Sequence, residues 1–189
     1  MRTRNAVSTI SYNSNEFLQR KLDHLVHTHQ LQFWAYFEHH AEDFEKRDHK
    51  HLFLLPDRLL DTSSLQDDLI ELHPDGTIDT CKLFRPSKWG DWYFYGLHDP
   101  AYLSCHYDND KPKKFRYLPE DCICSDSDIR QALDETINYS ELLSPSLKVV
   151  REHAEAGVPI QEFLRLFPIK KSEVRYIKEI YGLYLGGNS

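Results

Sequence analysis

Asp48-His49-Lys50-His51-Leu52-Phe53-Leu54-Leu55 places two histidines one residue apart and runs them straight into an apolar stretch. Side chains alternate along an extended chain, so His49 and His51 project to one face, within reach of a single ion. The apolar residues that follow are enough to bury the strand that holds the pair. A metal site built on a sheet is one reading. A strand that opens with two solvated histidines is the other.

The segments on either side extend the pattern. Residues 6–12 (Ala-Val-Ser-Thr-Ile-Ser-Tyr) are rich in β-formers and read as a first strand. Asn13 stands three residues before Glu16, close to a capping box, and Phe17, Leu18, Leu22 and Leu25 follow at helical spacing. Residues 31–37 (Leu-Gln-Phe-Trp-Ala-Tyr-Phe) form a second strand, and a charged connection leads from Glu38 to Asp48 into the third, which Pro56 ends. A second helix begins near Thr62 or Ser63 with Leu65, Leu69 and Ile70 on one face. His73-Pro74-Asp75-Gly76 signals a turn before a fourth strand over residues 77–83. The order β-α-β-β-α-β predicts an α+β fold: a split β-α-β (RRM-like) antiparallel sheet with helices on one face.

Beyond this unit, Trp92-Tyr93-Phe94-Tyr95-Gly96 reads as another strand. Asp99-Pro100 suits a helix start, because Asp can cap and Pro is tolerated in the first turn. That short helix carries Tyr102 and His106 on one face. Residues 125–138 read as a helix with Ile129, Leu133 and Ile137 inward. Three short helical segments, 147–155, 160–166 and 172–184, are punctuated by Gly157 and Pro168. The expected organisation is a main domain over 1–140 and a C-terminal helical segment over 145–186, either helix-turn-helix-like or a helical cap.

Composition bounds the function classes. The chain of 189 residues has a net charge of −7, which argues against a protein coated in positive charge but leaves room for a local basic face. It shows no apolar run long enough to span a bilayer and no secretory pattern at Met1-Arg2-Thr3-Arg4, so a soluble, cytoplasmic protein without membrane contact is expected. Four cysteines (Cys81, Cys105, Cys122, Cys124) in that setting are expected as thiols. A phosphate-binding Gly-x₄-Gly-Lys-Ser/Thr loop is absent, so no helicase activity is expected.

Seven of the eleven histidines lie between His24 and His51. His24, His27 and His29 close the first helix, where the helix dipole accounts for them. His39 and His40 end the strand that should pair with the His49–His51 strand. A histidine or carboxylate from Glu38-His39-His40-Ala41-Glu42-Asp43 can therefore complete a three-ligand site. Imidazole with oxygen ligands suits Mn²⁺, with Mg²⁺ as the alternative. A solvated acidic loop beside stray histidines competes with this reading. Tyr102 is a candidate nucleophile if a metal polarises the attacked phosphate, since a phenol of pKa ~10 is otherwise weakly reactive. Cys122-Ile123-Cys124 with Cys105-His106 offers four zinc ligands at an unusual spacing. Lys111, Lys113, Lys114 and Arg116, interleaved with Phe115 and Tyr117, can grip a nucleic-acid backbone, or can simply be solvated. Lys170, Lys171, Arg175 and Lys178 make a second, modest basic patch.

In order, these blocks resemble the replication initiators of rolling-circle plasmids and small single-stranded DNA replicons, within the HUH endonucleases. The resemblance covers roughly residues 33–129. It rests on Ala35-Tyr36-Phe37-Glu38-His39-His40-Ala41-Glu42-Asp43, on His49-Lys50-His51-Leu52-Phe53-Leu54-Leu55, on Tyr102-Leu103-Ser104-Cys105-His106, and on Lys113-Lys114-Phe115-Arg116-Tyr117-Leu118-Pro119-Glu120-Asp121. It implies that Tyr102 attacks an origin phosphodiester, stays joined to the 5′ phosphate and leaves a 3′ hydroxyl for priming, the reverse transfer closing the circle. It implies a divalent metal, Mn²⁺ or Mg²⁺, on His49 and His51, with His40 as third ligand and Asp43 next. The implied partners are single-stranded or hairpin origin DNA, a host helicase and a DNA polymerase, with self-association left open. Two residues depart from the family pattern. Lys50 replaces an apolar residue between the histidines, and Cys105 enlarges the tyrosine motif, which brings Tyr107 or Tyr95 forward as alternative nucleophiles. A non-enzymatic single-stranded nucleic-acid-binding domain is the expectation from another class, and an HUH transposase or relaxase keeps the chemistry but changes the biology.

Overall fold

The computed structural model describes residues 2–40, 47–106, 116–167, 169 and 171–185. The chain runs through β1 (Arg2–Thr3), β2 (Val7–Ser11), α1 (Asn15–His27), β3 (Leu31–His39), β4 (His49–Pro56), β5 (Leu60–Asp61), α2 (Thr62–Asp68), β6 (Glu71–Leu72), β7 (Ile78–Asp79) and β8 (Arg85–Pro86). There follow α3 (Trp89–Gly96), α4 (Pro100–His106), a 3₁₀ turn (Pro119–Asp121), β9 (Ile123–Cys124), α5 (Ser127–Glu135), α6 (Tyr139–Leu142), α7 (Leu147–Glu155), α8 (Ile160–Leu166) and α9 (Lys171–Leu185). These elements group into two compact units, Met1–Leu97 with Lys114–Thr136, and His98–Lys113 with Ile137–Ser189. The stretch holding Tyr102, expected within the main domain, therefore belongs to the second unit.

The first unit is built on a five-stranded sheet of order β8-β2-β4-β3-β9. β4 is antiparallel to both β2 and β3, so β2 and β3 run parallel with β4 inserted between them. That is the split β-α-β arrangement, with α1 crossing from β2 to β3. α1 begins one residue later than expected: Ser14, not Asn13, caps it by accepting from the Phe17 N–H. Asn13 is instead fully buried, its amide donating to the Leu69 carbonyl at 2.9 Å. The fourth strand expected over 77–83 is broken up. Ile78–Asp79 pairs with Glu71–Leu72 as a small hairpin, Cys81 makes a single bridge to Ser11, and β8 at Arg85–Pro86 completes the edge beside β2.

Both faces of the sheet are covered. On one, Val7, Trp34, Tyr36, Leu52 and Leu54 pack with Leu18, Leu22 and Leu25 of α1 and Leu65 of α2. Trp34 Nε1 donates to Asp23 at 3.1 Å, and Gln19 donates to the Tyr36 hydroxyl at 2.7 Å, so the rings' polar ends are satisfied by α1. The opposite face carries Phe33, Phe37 and Phe53. Residues 92–96, expected as a strand, are the end of helix α3, and this corrects the expectation of helices on one side alone. Trp89, Trp92, Tyr93 and Gly96 recur at helical spacing and are all buried, and the rings of the first three contact the three phenylalanines at centroid distances of 5.2–5.8 Å. α5 supports α3 from outside, where Asp134 accepts from Trp89 Nε1 at 2.7 Å and Arg130 donates to the Tyr93 hydroxyl at 3.1 Å.

The second unit gathers around its own apolar cluster of Val149, Val150, Ala154, Phe163, Phe167, Ile177, Ile180 and Tyr181, with Cys105 of α4 included. Its three main helices fall within a residue or two of the segments read from sequence.

Gly96 leaves no room for a side chain. A Cβ there would stand 2.3 Å from Cδ2 of Phe37, itself fixed between Trp92 and Tyr93. Gly96→Ala is expected to destabilise the fold by about 1–3 kcal/mol through overpacking, outweighing a helix-propensity gain of up to ~1 kcal/mol. The check is a lower urea midpoint at unchanged slope; a raised midpoint would refute the close-packing account.

Candidate metal centre

The register of β3 on β4 sets Phe37 opposite His51 and His39 opposite His49. Residues directly opposite on an antiparallel pair share a face, so His39, His49 and His51 converge at one end of the aromatic face. Ring centroids lie 5.5 Å apart for His39–His49, 4.5 Å for His39–His51 and 5.1 Å for His49–His51. One ring nitrogen from each lies within 4.8 Å of the others. All three side chains are buried, His39 at 1 % exposure.

Backbone carbonyls orient two of the rings. His39 Nε2 donates to the Gly96 carbonyl at 2.8 Å, and His49 Nδ1 donates to the Arg47 carbonyl at 3.1 Å. A carbonyl only accepts, so those nitrogens carry the ring protons, and the lone pairs lie on His39 Nδ1 and His49 Nε2. A carbonyl acceptor behind a ligating imidazole is the usual way a ring is held in its metal-binding tautomer. Gly96 is the last residue of α3, where carbonyls lack helical partners and the dipole favours positive charge. Three imidazole nitrogens brought this close could hold a metal ion, and imidazole donors suit transition metals better than Mg²⁺, which prefers oxygen.

Tyrosines wall the cluster. Tyr117 stacks on His39 with centroids 4.3 Å apart and planes at 11°, and its hydroxyl accepts from the His40 N–H at 3.2 Å. Tyr95 meets His51 edge-on at 5.1 Å, and burial raises its phenol above the ordinary value. Tyr12 lies 6.3 Å from His49, with the Arg47 guanidinium 4.1 Å over its ring. Lys50 faces the other way, donating to the Asn13 carbonyl at 2.8 Å with Glu38 at 3.4 Å. Its place between the two histidines therefore does not disturb them.

The sequence-predicted residues divide accordingly. His49 and His51 come together as expected. His40 does not join them: it is exposed, one residue past the strand, and His39 takes the third place. Asp43, Lys113 and Lys114 lie outside the described residues, as does Tyr107, while Arg116 is exposed beside buried Tyr117. Tyr102 is in the second unit on α4, buried, with its ring 4.5 Å from that of His106 and its N–H donating to Asp99. No group of metal-ligand type among the described residues includes a cysteine. Cys105 donates to the Leu143 carbonyl at 3.0 Å, and burial pushes the Cys122 thiol up to about 12. Glu71, His73 and Asp79 form a second cluster on the β6–β7 hairpin. Its charges are already answered by protein groups: Glu71 accepts from Ser14 N at 2.7 Å, and Asp79 pairs with His73 at 3.0 Å and Arg47 at 2.8 Å. No helix among the described residues is long and apolar enough to cross a membrane.

Set against known proteins, the chain matches no family model, no curated protein and no solved structure. What the centre can do follows from its own geometry.

Removing one of three ligands should cost more than removing an orienting partner, which typically costs 10–100-fold. His39→Ala is expected to weaken Mn²⁺ binding by roughly 100-fold or more, and His40→Ala to leave it within about threefold. Calorimetric titration distinguishes the two; the reverse ranking would return the third place to His40.

Proposed function

We propose that the chain is a metal-dependent nicking and rejoining endonuclease of the HUH type, acting on single-stranded or hairpin DNA at a replication origin through a covalent 5′-phosphotyrosine. The observation that carries this reading is the buried triad of His39, His49 and His51, held on paired strands with its rings oriented by backbone carbonyls. A bound divalent ion supplies Lewis-acid polarisation of a phosphate oxygen. The residues of this chain do the rest. Gly96 and Arg47 fix the two imidazoles, and the packed face beneath them keeps the ligands from drifting. A tyrosine hydroxyl forms the new phosphate ester as the 3′ oxygen leaves with a proton. Host helicase and polymerase would act on the exposed 3′ end.

The competing idea of a purely binding domain loses support from the sheet. Recognition of single strands on such a sheet relies on open aromatics that stack bases. Here Phe33, Phe37 and Phe53 lie under Trp89, Trp92 and Tyr93, and α1 and α2 cover the opposite face. A cytoplasmic setting and DNA contact through Lys113, Lys114 and Arg116 accompany the proposal.

End-labelled single strands spanning the origin of the replicon that encodes the protein, incubated with Mn²⁺, should yield a covalent protein–DNA band on a denaturing gel. Chelator should abolish it. His51→Ala should reduce its rate by roughly 10³-fold, a few kcal/mol of lost electrophilic activation at 1.36 kcal/mol per decade. A folded protein that binds Mn²⁺ yet forms no adduct on any strand would leave only the binding-domain reading.

A further inference from the structure

We propose that Tyr95, in the last turn of α3, is the residue that attacks the phosphodiester; this rests on the metal-dependent nicking proposed above and names its nucleophile. Tyr102, which the sequence motif favours, lies buried in the second compact unit. Tyr95 shares the first unit with the triad, and its ring stands edge-on to His51 at 5.1 Å.

The backbone around Tyr95 is tied to the ligands on both sides. Before it, Trp92 and Tyr93 pack on Phe37, the residue directly opposite His51 in the β3–β4 ladder. After it, the Gly96 carbonyl accepts from His39, and Gly96 has no room for a Cβ beside Phe37. A group held this way meets a metal-bound phosphate with little orientational freedom left to lose. That is the condition under which positioning contributes most to rate.

The other two tyrosines at the centre are engaged differently. Tyr117 lies flat on His39, is 5 % exposed, and holds the His40 N–H with its hydroxyl, so it braces the third ligand. Tyr12 is more distant, and its ring is occupied by Arg47. Tyr95 is only partly buried, which leaves an approach for a strand. In the step itself the Tyr95 hydroxyl oxygen bonds to phosphorus and the bond from phosphorus to the 3′ oxygen breaks. The phenolic proton passes to solvent, and the departing 3′ oxygen takes up a proton. Nothing is oxidised or reduced, and attack by the 3′ hydroxyl on the phosphotyrosine reverses the step.

The test compares wild type, Tyr95→Phe and Tyr102→Phe with Mn²⁺ and the origin oligonucleotides. The adduct is digested by a protease that cuts before aspartate. Cleavage at Asp91 and Asp99 puts Tyr95 in peptide 91–98 and Tyr102 in peptide 99–107. The expected result is a nucleotide mass on Tyr95 within peptide 91–98. Adduct formation should fall by roughly 10³-fold or more in Tyr95→Phe, with Mn²⁺ affinity and circular dichroism unchanged, and persist in Tyr102→Phe. An adduct on peptide 99–107 or elsewhere, or one formed normally by Tyr95→Phe, overturns the assignment while leaving the nicking activity standing. No adduct from Mn²⁺-loaded wild type overturns both, since Tyr95 then has no reaction to perform.

Discussion

The antiparallel pairing of β3 with β4 is the constraint on which the rest of the first unit depends. Its register sets His39 opposite His49 and Phe37 opposite His51, so one ladder places both the ligands and the apolar seat beneath them. A slip of one residue would turn every side chain of a strand to the other face. His40 would then replace His39, and Phe37 would exchange places with Tyr36 or Glu38. The aromatic packing of the sheet interior and the composition of the histidine cluster are therefore not independent. Whatever stabilises Phe37 under α3 also keeps His39 beside His49.

The second constraint acts across the sheet. α3 lies on the aromatic face because three large rings and a glycine fall on one side of it, and the glycine lets its end approach Phe37. The same glycine gives its carbonyl to His39. Close approach and ligand orientation thus come from one residue, and a side chain at position 96 would disturb both. Tyr95 lies one residue before this point. Its distance from His51 is accordingly set by the close packing of Gly96 on Phe37 rather than by a loop.

Much of this was legible beforehand, and the misses have physical causes. The strands at 31–37 and 49–55, the helix between Thr62 and Asp68 and the three C-terminal helices were readable from periodicity and caps, as was the pairing of His49 with His51. The third ligand was not, because β3 is buried on both faces. Trp34 and Tyr36 alternate with Phe33, Ala35 and Phe37, so hydrophobicity carries no parity from which to decide between His39 and His40. α3 was misread because an unbroken aromatic run, Trp92 to Tyr95, has high β-propensity. The signal that decides it lies one turn upstream, at Trp89, which restores the helical spacing. The edge strand at 77–83 failed for a different reason: that stretch meets β2 through a single bridge at Cys81, and the ladder beside β2 is taken by Arg85–Pro86 just beyond it.

Electrostatics link the centre to the acidic character of the whole chain. A net charge of −7 opposes a polyanion at long range, but at physiological ionic strength such fields decay over about 8 Å. If the chain acts on DNA as proposed, attraction for a phosphodiester would have to be generated locally. A centre of three neutral imidazoles leaves a divalent ion its full double charge, whereas an aspartate or glutamate in the third place would cancel half of it. The third histidine, supplied by His39, is thus the choice of ligand that best offsets an acidic surface. Lys50 turned to the opposite face neither adds to that charge nor competes with the ion for the ring nitrogens. In the proposed reaction, the positive potential acting on the scissile phosphate would come first from an ion held by the three histidines, beside Tyr95.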